Sequence, residues 1–134
     1  LVTCSNISEE KDIEIRKLDT GTYALSNTYL TNSWPKCQQG RQRLADGTEQ
    51  DFSVETLLEI LGDSQPPLDN LLPQRGNTIE YERRLGSAFV IGEDYGTRAS
   101  TVLLVNHEKI TFHERSFGRK GSSYQDLRNE LLLN

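Results

Sequence analysis

The 134-residue chain contains no methionine and only two cysteines, and it has no apolar run near the roughly 20 residues that a bilayer-spanning helix needs. Because methionine is absent, we expect a fragment or a processed chain. Cys4 and Cys37 are too few for a disulfide scaffold, which favours a reducing compartment. Residues 1–5 also lack the basic start and the apolar stretch of a secretory signal peptide. These absences predict a chain without a membrane span or a disulfide framework.

Charge and hydropathy narrow the class of protein further. The chain carries 15 basic and 20 acidic residues, a net charge of −5, and the basic residues do not cluster, which argues against nucleic acid as a partner. Its hydrophobic content is 34% and its mean hydropathy is −0.62, so one domain of ordinary size with much loop and solvated surface is expected. His107 and His113 have no neighbours at metal-ligand spacing, and we predict no metal site.

Local patterns predict a mixture of strands and helices. A helix should begin at Trp34-Pro35 and end near Gly47, since proline is tolerated in a first turn. A second helix should follow the N-cap Ser53, with apolar residues at helical spacing up to Gly62. Residues 65–78 read as a long irregular loop, and residues 124–133 fit a helix and a strand equally well. Strands are expected at residues 1–5, 12–18, 22–26, 87–91, 97–105 and 110–117. The fold class expected from this order is α+β.

Arg98 is the first candidate for a functional residue. It follows Gly96, whose backbone accepts angles that other residues resist, and it stands at the start of the apolar strand that contains Val102–Val105. An apolar strand should not begin on an unpaired charge, because burying a lone guanidinium is costly. Arg98 therefore faces a carboxylate of the fold, with Asp94 and Glu114 as the near choices, or it faces a ligand.

Asn27 is the second candidate. It closes the apolar segment 22–26, so its amide would project from a sheet end or would cap a turn. No catalytic thiol is expected within the chain, because neither cysteine has a neighbouring base or a local positive field in the sequence.

Four blocks together resemble the transport and Golgi organisation protein 2 family, also called the NRDE family after its Asn-Arg-Asp-Glu motif. Gly21–Asn27 resembles the family's Gly-x-Tyr-Gly-Leu-Ser-Asn, with Ala24 in place of a glycine. Ser33–Lys36 is similar to its Pro-Trp-x-Lys segment, with the order of tryptophan and proline reversed. Asp94–Val105 resembles the Tyr-Gly-Thr-Arg-x-x-Thr strand, and His113–Phe117 resembles the Glu-Arg-Ser end of the next strand. The resemblance covers residues from about 20 to 134.

The resemblance implies a fold and an incomplete chain. The family's fold resembles an N-terminal-nucleophile hydrolase, an αββα sandwich of antiparallel sheets with flanking helices. The family's Met-Cys start and its Asn-Arg-Asp-Glu motif have no counterpart here, so residues 1–134 are expected to form one domain segment, the C-terminal half of such a protein. The missing N-terminal half of the same protein is then the expected partner.

The resemblance also implies roles for the two candidate residues. By motif position, Asn27 would donate its amide to a developing oxyanion and Arg98 would favour a neighbouring thiolate. Both would be supporting catalytic residues, because the nucleophile of the superfamily would lie in the missing half.

Three functions remain open at this point. The favoured one is trafficking of haem or an acyl-CoA-like lipid cargo in Golgi and mitochondrial homeostasis, with Arg98 meeting a carboxylate or phosphate of the ligand. Its expected location is the cytoplasm, in association with mitochondria or the Golgi. The second is a cysteine-nucleophile amide or thioester hydrolase, and the third is a structural half-domain in which Arg98 forms a salt bridge.

Overall fold

A computed structural model describes residues 1–5, 13–26, 30, 34–47, 52–73 and 75–133. In this part of the chain, three α-helices and two antiparallel sheets confirm the α+β class. The strands are β1 Val2–Ser5, β2 Glu14–Lys17, β3 Ala99–Val105, β4 Lys109–Phe117 and β5 Ser123–Leu132. The helices are α1 Pro35–Asp46, α2 Val54–Leu61 and α3 Ile79–Gly86, with short 3₁₀ turns at Asp69–Leu71 and Arg119–Gly121.

The first two helices confirm the predictions made from their end signals. Pro35 occupies the first turn of α1, and Gly47 follows its last residue. Ser53 caps α2, because its hydroxyl oxygen accepts a hydrogen bond from the amide of Thr56 at 3.1 Å. The apolar stripe of α2 then packs against β3, with Leu58 buried.

The helix α3 was not predicted, although its sequence carries ordinary end signals. The hydroxyl of Thr78 accepts a hydrogen bond from the amide of Tyr81 at 3.4 Å. Acidic side chains lie in the first turn and Arg83 and Arg84 in the last, as the helix dipole favours. The helix was missed because it directly follows the proline-rich residues that were predicted as a long irregular loop.

Two predicted strands are wrong. Residues 87–91 form no ladder, because the hydroxyl of Ser87 donates to the carbonyl of Phe89 and the amide of Phe89 donates to the carbonyl of Asp63, both at 2.8 Å. Residues 22–26 pair with neither sheet of the described residues. Tyr23 instead folds back locally, and its phenol donates to the carbonyl of Asp19 at 3.2 Å.

The first sheet is a hairpin of β1 and β2, with Val2 opposite Lys17 and Ser5 opposite Glu14. The half-exposed strand predicted for residues 12–18 is present as a shorter strand. Its apolar face is exposed to solvent, since the side chain of Ile15 is 71% exposed.

The second sheet has the order β3–β4–β5, and both pairs are antiparallel. It resolves the ambiguity at residues 124–133 in favour of a strand, with Leu127 opposite Glu114 and Leu131 opposite Ile110. On β3 and β4 one face of the sheet is largely buried and carries Val102, Thr111 and His113, whereas the described side chains of β5 are exposed. This sheet and the loops at the start of β3 hold the candidate site. The αββα sandwich implied by the resemblance stays a prediction.

Candidate functional site

A closed loop presents Arg98 at the start of β3. The amide of Thr97 donates to the carbonyl of Val90 at 2.9 Å, and the amide of Val90 donates to the hydroxyl of Thr97 at the same distance. Two glycines allow the backbone inside this loop to approach so closely. A Cβ atom on Gly92 would lie 2.3 Å from the carbonyl oxygen of Tyr95, and one on Gly96 would lie 2.9 Å from that of Val90. Gly96 is therefore needed for close approach, and not for a left-handed backbone angle.

Arg98 is fixed at its backbone and open at its side chain. Its carbonyl accepts a hydrogen bond from the amide of Phe117 at 2.8 Å, the first link between this end of β3 and β4. Its side chain is exposed, and no ion pair joins it to any residue that the structure describes. Neither expected carboxylate partner is used, and Glu114 instead accepts from the hydroxyl of Thr101 at 3.0 Å. Within the described chain, the structural salt bridge therefore does not form.

Arg98 lines a cleft of about 380 Å³ between the loop 90–97 and the turn after β4. Phe117 forms part of its wall and is buried against Phe89, with the rings edge to face and their centroids 4.6 Å apart. The turn approaches this pair closely, because Gly121 has a φ of 74° and a Cβ there would lie 3.0 Å from the Phe89 ring. The remaining lining residues are Val90, Gly92, Glu93, Asp94, Tyr95, Gly96, Thr97, Gly118 and Arg119.

The charges around this cleft favour an anion. Glu93 lies 2.9 Å from the ammonium of Lys120 and is compensated by it. Arg98 and Arg119 balance Asp94 and Glu93 among the lining residues, and Lys120, which lies beside the cleft and does not line it, adds one positive charge. Arg119 was not among the site residues predicted from the sequence. No local signal in the sequence marks Arg119, because its place on the cleft depends on the turn after β4.

Asn27, the other predicted site residue, lies outside the residues that the structure describes. The residues just before it, Tyr23–Ser26, line a second cavity of about 500 Å³ together with parts of α1, α2 and β3. The walls of this cavity are largely apolar, with Leu44 from α1, Leu57, Ile60 and Leu61 from α2 and its end, and Thr101, Val102 and Leu103 from β3.

Cys37 lies on the wall of this apolar cavity as a buried thiol. Burial raises the pKa of Cys37 and outweighs the opposing effect of the neighbouring ammonium of Lys36. Burial also lowers the pKa of Lys36, whose ammonium donates to the carbonyl of Leu85 at 3.1 Å. The raised pKa therefore favours the protonated Cys37 thiol over the thiolate at neutral pH.

The described residues offer no cluster of three histidine, cysteine or carboxylate side chains that would hold a metal ion. His113 instead contacts Asp126 at 3.3 Å on the buried face of the sheet, and His107 is exposed in the hairpin turn. None of the helices in the described ranges is long and apolar enough to cross a membrane.

Comparison with known proteins identifies the family. The family model described as Transport and Golgi organisation 2 matches residues 1–119, most of the chain. The chain belongs to the Transport and Golgi organisation 2 family. The match begins and ends earlier than the span of about 20 to 134 over which the motifs were noticed, so it includes β1 and β2 and stops before β5.

A curated relative agrees with this membership of the Transport and Golgi organisation 2 family. The Transport and Golgi organization protein 2 homolog of Bos taurus is 37% identical over 111 residues, which cover 74% of this chain. The chain spans only 40% of the length of that relative. No solved structure matches the chain significantly.

Proposed function

We propose that this chain serves transport and Golgi organisation by providing a cleft that binds the anionic group of a haem or an acyl-CoA-like cargo. The family description and the name of the bovine relative support the general role. The cargo is the finer part of the proposal, and it comes from the resemblance of the motif blocks. Both cargoes combine an apolar body with carboxylates or phosphates, the groups that an arginine binds best.

The observation that carries this proposal is the open guanidinium of Arg98. Arg75, Arg83 and Arg115 each hold a carboxylate of the fold, whereas Arg98 has no such partner among the described residues. Its backbone is nevertheless fixed at the rim of a cleft, next to a loop that two hydrogen bonds close. A charge that is positioned but unpaired suits a ligand that arrives from solution.

The size and composition of the cleft define how cargo would bind. A volume of about 380 Å³ lies in the lower part of the range for ligand pockets, so the cleft suits a head group rather than a whole cargo molecule. Its described lining contains no histidine, cysteine or methionine, and Tyr95 is the one residue there of a type that ligates haem iron. Haem would therefore be held through its propionates by Arg98 and Arg119, an arrangement that favours transient carriage.

The proposed place of action is the cytoplasm, next to mitochondria or the Golgi. The family description supports the link to the Golgi. The mitochondrial link follows from haem as the proposed cargo.

Titration with two cargoes tests this function. Haemin and palmitoyl-CoA are each titrated into the purified protein, into Arg98→Ala, and into the control Arg83→Ala, which removes an equal charge from an exposed pair with Asp69. We expect Kd to rise about 10-fold or more for Arg98→Ala, as the loss of a charge-assisted contact of roughly 1.5–3 kcal/mol implies. The control should bind like the wild type, and equal Kd values for all three proteins would remove Arg98 from this role.

The same incubation, carried out with a full-length member of the family that includes the expected nucleophile, separates a carrier from the hydrolase that the resemblance left open. A carrier returns palmitoyl-CoA intact, whereas a thioester hydrolase releases free CoA thiol, which a thiol reagent detects. Release that depends on Arg98 would favour the hydrolase.

A further inference from the structure

Among the residues that the structure describes, one edge of the strand β3 has no hydrogen-bonding partner. In an antiparallel ladder the backbone groups of alternate residues face the partner strand. The hydrogen bond from the amide of Phe117 to the carbonyl of Arg98 shows which residues these are in β3. The backbone groups of its even-numbered residues point towards β4. Within the described chain, no backbone hydrogen bond reaches the groups that face away, which belong to Ala99, Thr101, Leu103 and Val105.

The opposite edge of the same sheet is protected, and this contrast makes the open edge of β3 informative. The bond from the amide of Leu133 to the carbonyl of Glu108 fixes the phase of β5. The residues of β5 that turn their backbone outward then include Asp126, Arg128 and Glu130, and charged residues along an edge discourage the addition of another strand. Residues 99–105 contain no charge and no proline, and Leu103 and Val105 are 60% and 63% exposed.

An apolar slot runs beside the open edge. The cavity of about 500 Å³ is lined on one side by Thr101–Leu103 of β3 and on another by the irregular segment Tyr23–Ser26. Leucine and isoleucine side chains of α2 form a further wall. An extended chain in this slot would satisfy the free backbone groups of β3 and bury alternate apolar side chains against α2, as in recognition by strand addition.

The geometry points to an extended apolar strand as the occupant of this slot. The strand would come from the part of a family protein that lies outside the region aligned with this chain. The chain spans 40% of the bovine relative, so more than half of that protein lies outside the match and is available to supply such a strand. A second copy of this chain fits less well, because it would bring a whole sheet to a slot whose other side is already occupied by Tyr23–Ser26. This docking site is separate from the cleft of Arg98, and it does not depend on the proposed function.

Peptides test the docking site directly. Overlapping peptides of about 12 residues, tiled over the part of the bovine relative outside the aligned stretch, are added to the purified protein while amide hydrogen exchange is followed. We expect at least one peptide to slow exchange at Thr101, Leu103 and Val105 by about 10-fold or more. The outward amides of β5 should exchange as before.

Two variants and a matched control show whether the edge itself binds. Thr101→Pro removes an outward amide, and Leu103→Lys adds a charge to the edge while it leaves the backbone intact, so both should abolish peptide binding. Arg128→Pro makes the same backbone change on the outward side of β5 and should leave binding unchanged. The proposal is overturned if no peptide protects these amides, or if binding survives Leu103→Lys. Protection that grows with protein concentration in the absence of peptide would overturn it in favour of pairing between copies.

Discussion

The amide nitrogen of Thr97 lies 2.9 Å from the carbonyl oxygen of Val90, and this hydrogen bond closes the loop that carries Arg98 to the rim of the cleft. The loop is tight enough that its two glycines have almost no room for a side chain. The position of the candidate ligand residue therefore depends on glycines two and six residues before it, and not on any partner of the arginine itself.

Gly92→Ala should distort this loop and weaken cargo binding. The added Cβ would lie 2.3 Å from the carbonyl oxygen of Tyr95, and relief of such a clash typically costs about 1–3 kcal/mol. We expect the free energy of unfolding from urea titration to fall by that amount and Kd for haemin to rise. Gly40→Ala is the control, because nothing lies within 4 Å of its added Cβ on α1, and it should gain about 0.5–1 kcal/mol of stability. Equal stability of the two variants would contradict the close approach.

Arg75→Ala should destabilise the protein more than Arg83→Ala. Arg75 is the ion-pair partner of Glu82, a carboxylate only 3% exposed that also accepts a hydrogen bond from Asn77 at 2.7 Å. Without Arg75 the buried charge loses its main partner, and we expect Tm to fall by about 5 °C or more. Arg83 pairs with Asp69 at the surface, where ion pairs contribute little, so its removal should shift Tm by about 2 °C at most.

Tryptophan fluorescence provides a second readout for Arg75. Its guanidinium lies over the ring of Trp34, 4.8 Å from the ring centroid. Because Trp34 is the only tryptophan, Arg75→Ala should change the emission spectrum of the folded protein. Arg83→Ala should leave the spectrum as it is. Identical spectra for all three proteins would contradict the stacking.

Asp126→Asn should flatten the acid side of the stability curve. Hydrogen bonds from Arg115, and to a lesser extent from His113, lower the pKa of Asp126 to about 2, below its usual value near 3.8. The lowered pKa of Asp126 stabilises the fold at every pH above the usual pKa of an aspartate. This stabilisation is lost as the pH falls from about 4 towards 2. The wild type should therefore lose more stability than Asp126→Asn between pH 5 and 2, measured by urea unfolding. Asp94→Asn, which removes a charge without an ion pair in the described chain, should follow the wild type.

Short-range signals explain which parts of the fold could be predicted from the sequence. Ser53 with Gly62, and Pro35 with Gly47, mark helix ends through contacts within a few residues, and both helices were found. The strands β3 and β4 were found on either side of a local turn, which Asn106 closes through its own side chain. Residues 124–133 remained ambiguous because only pairing with β4 decides their structure, and that pairing depends on residues far away in sequence.

The candidate site also contains one residue that could be predicted from the sequence and one that could not. Arg98 could be singled out because a charge before an apolar strand is unusual within its own segment. Arg119 could not, because its approach to Arg98 depends on a turn in which Lys120 has a φ of 58° and Gly121 packs against Phe89. Contacts of that kind follow from the assembled sheet and have no local signature.

The ligand-induced shift in Tm for Arg98→Ala tests the central claim most directly, since a ligand that binds only the folded state raises Tm more, at a fixed ligand concentration, the tighter it binds. Melting curves are recorded for the wild type and for Arg98→Ala, with and without saturating haemin or palmitoyl-CoA. We predict that the two proteins share one Tm without ligand and that the ligand raises Tm much less in Arg98→Ala. A lower Tm in the variant without ligand, together with an unchanged ligand-induced shift, would contradict this account and would assign Arg98 to the stability of the fold.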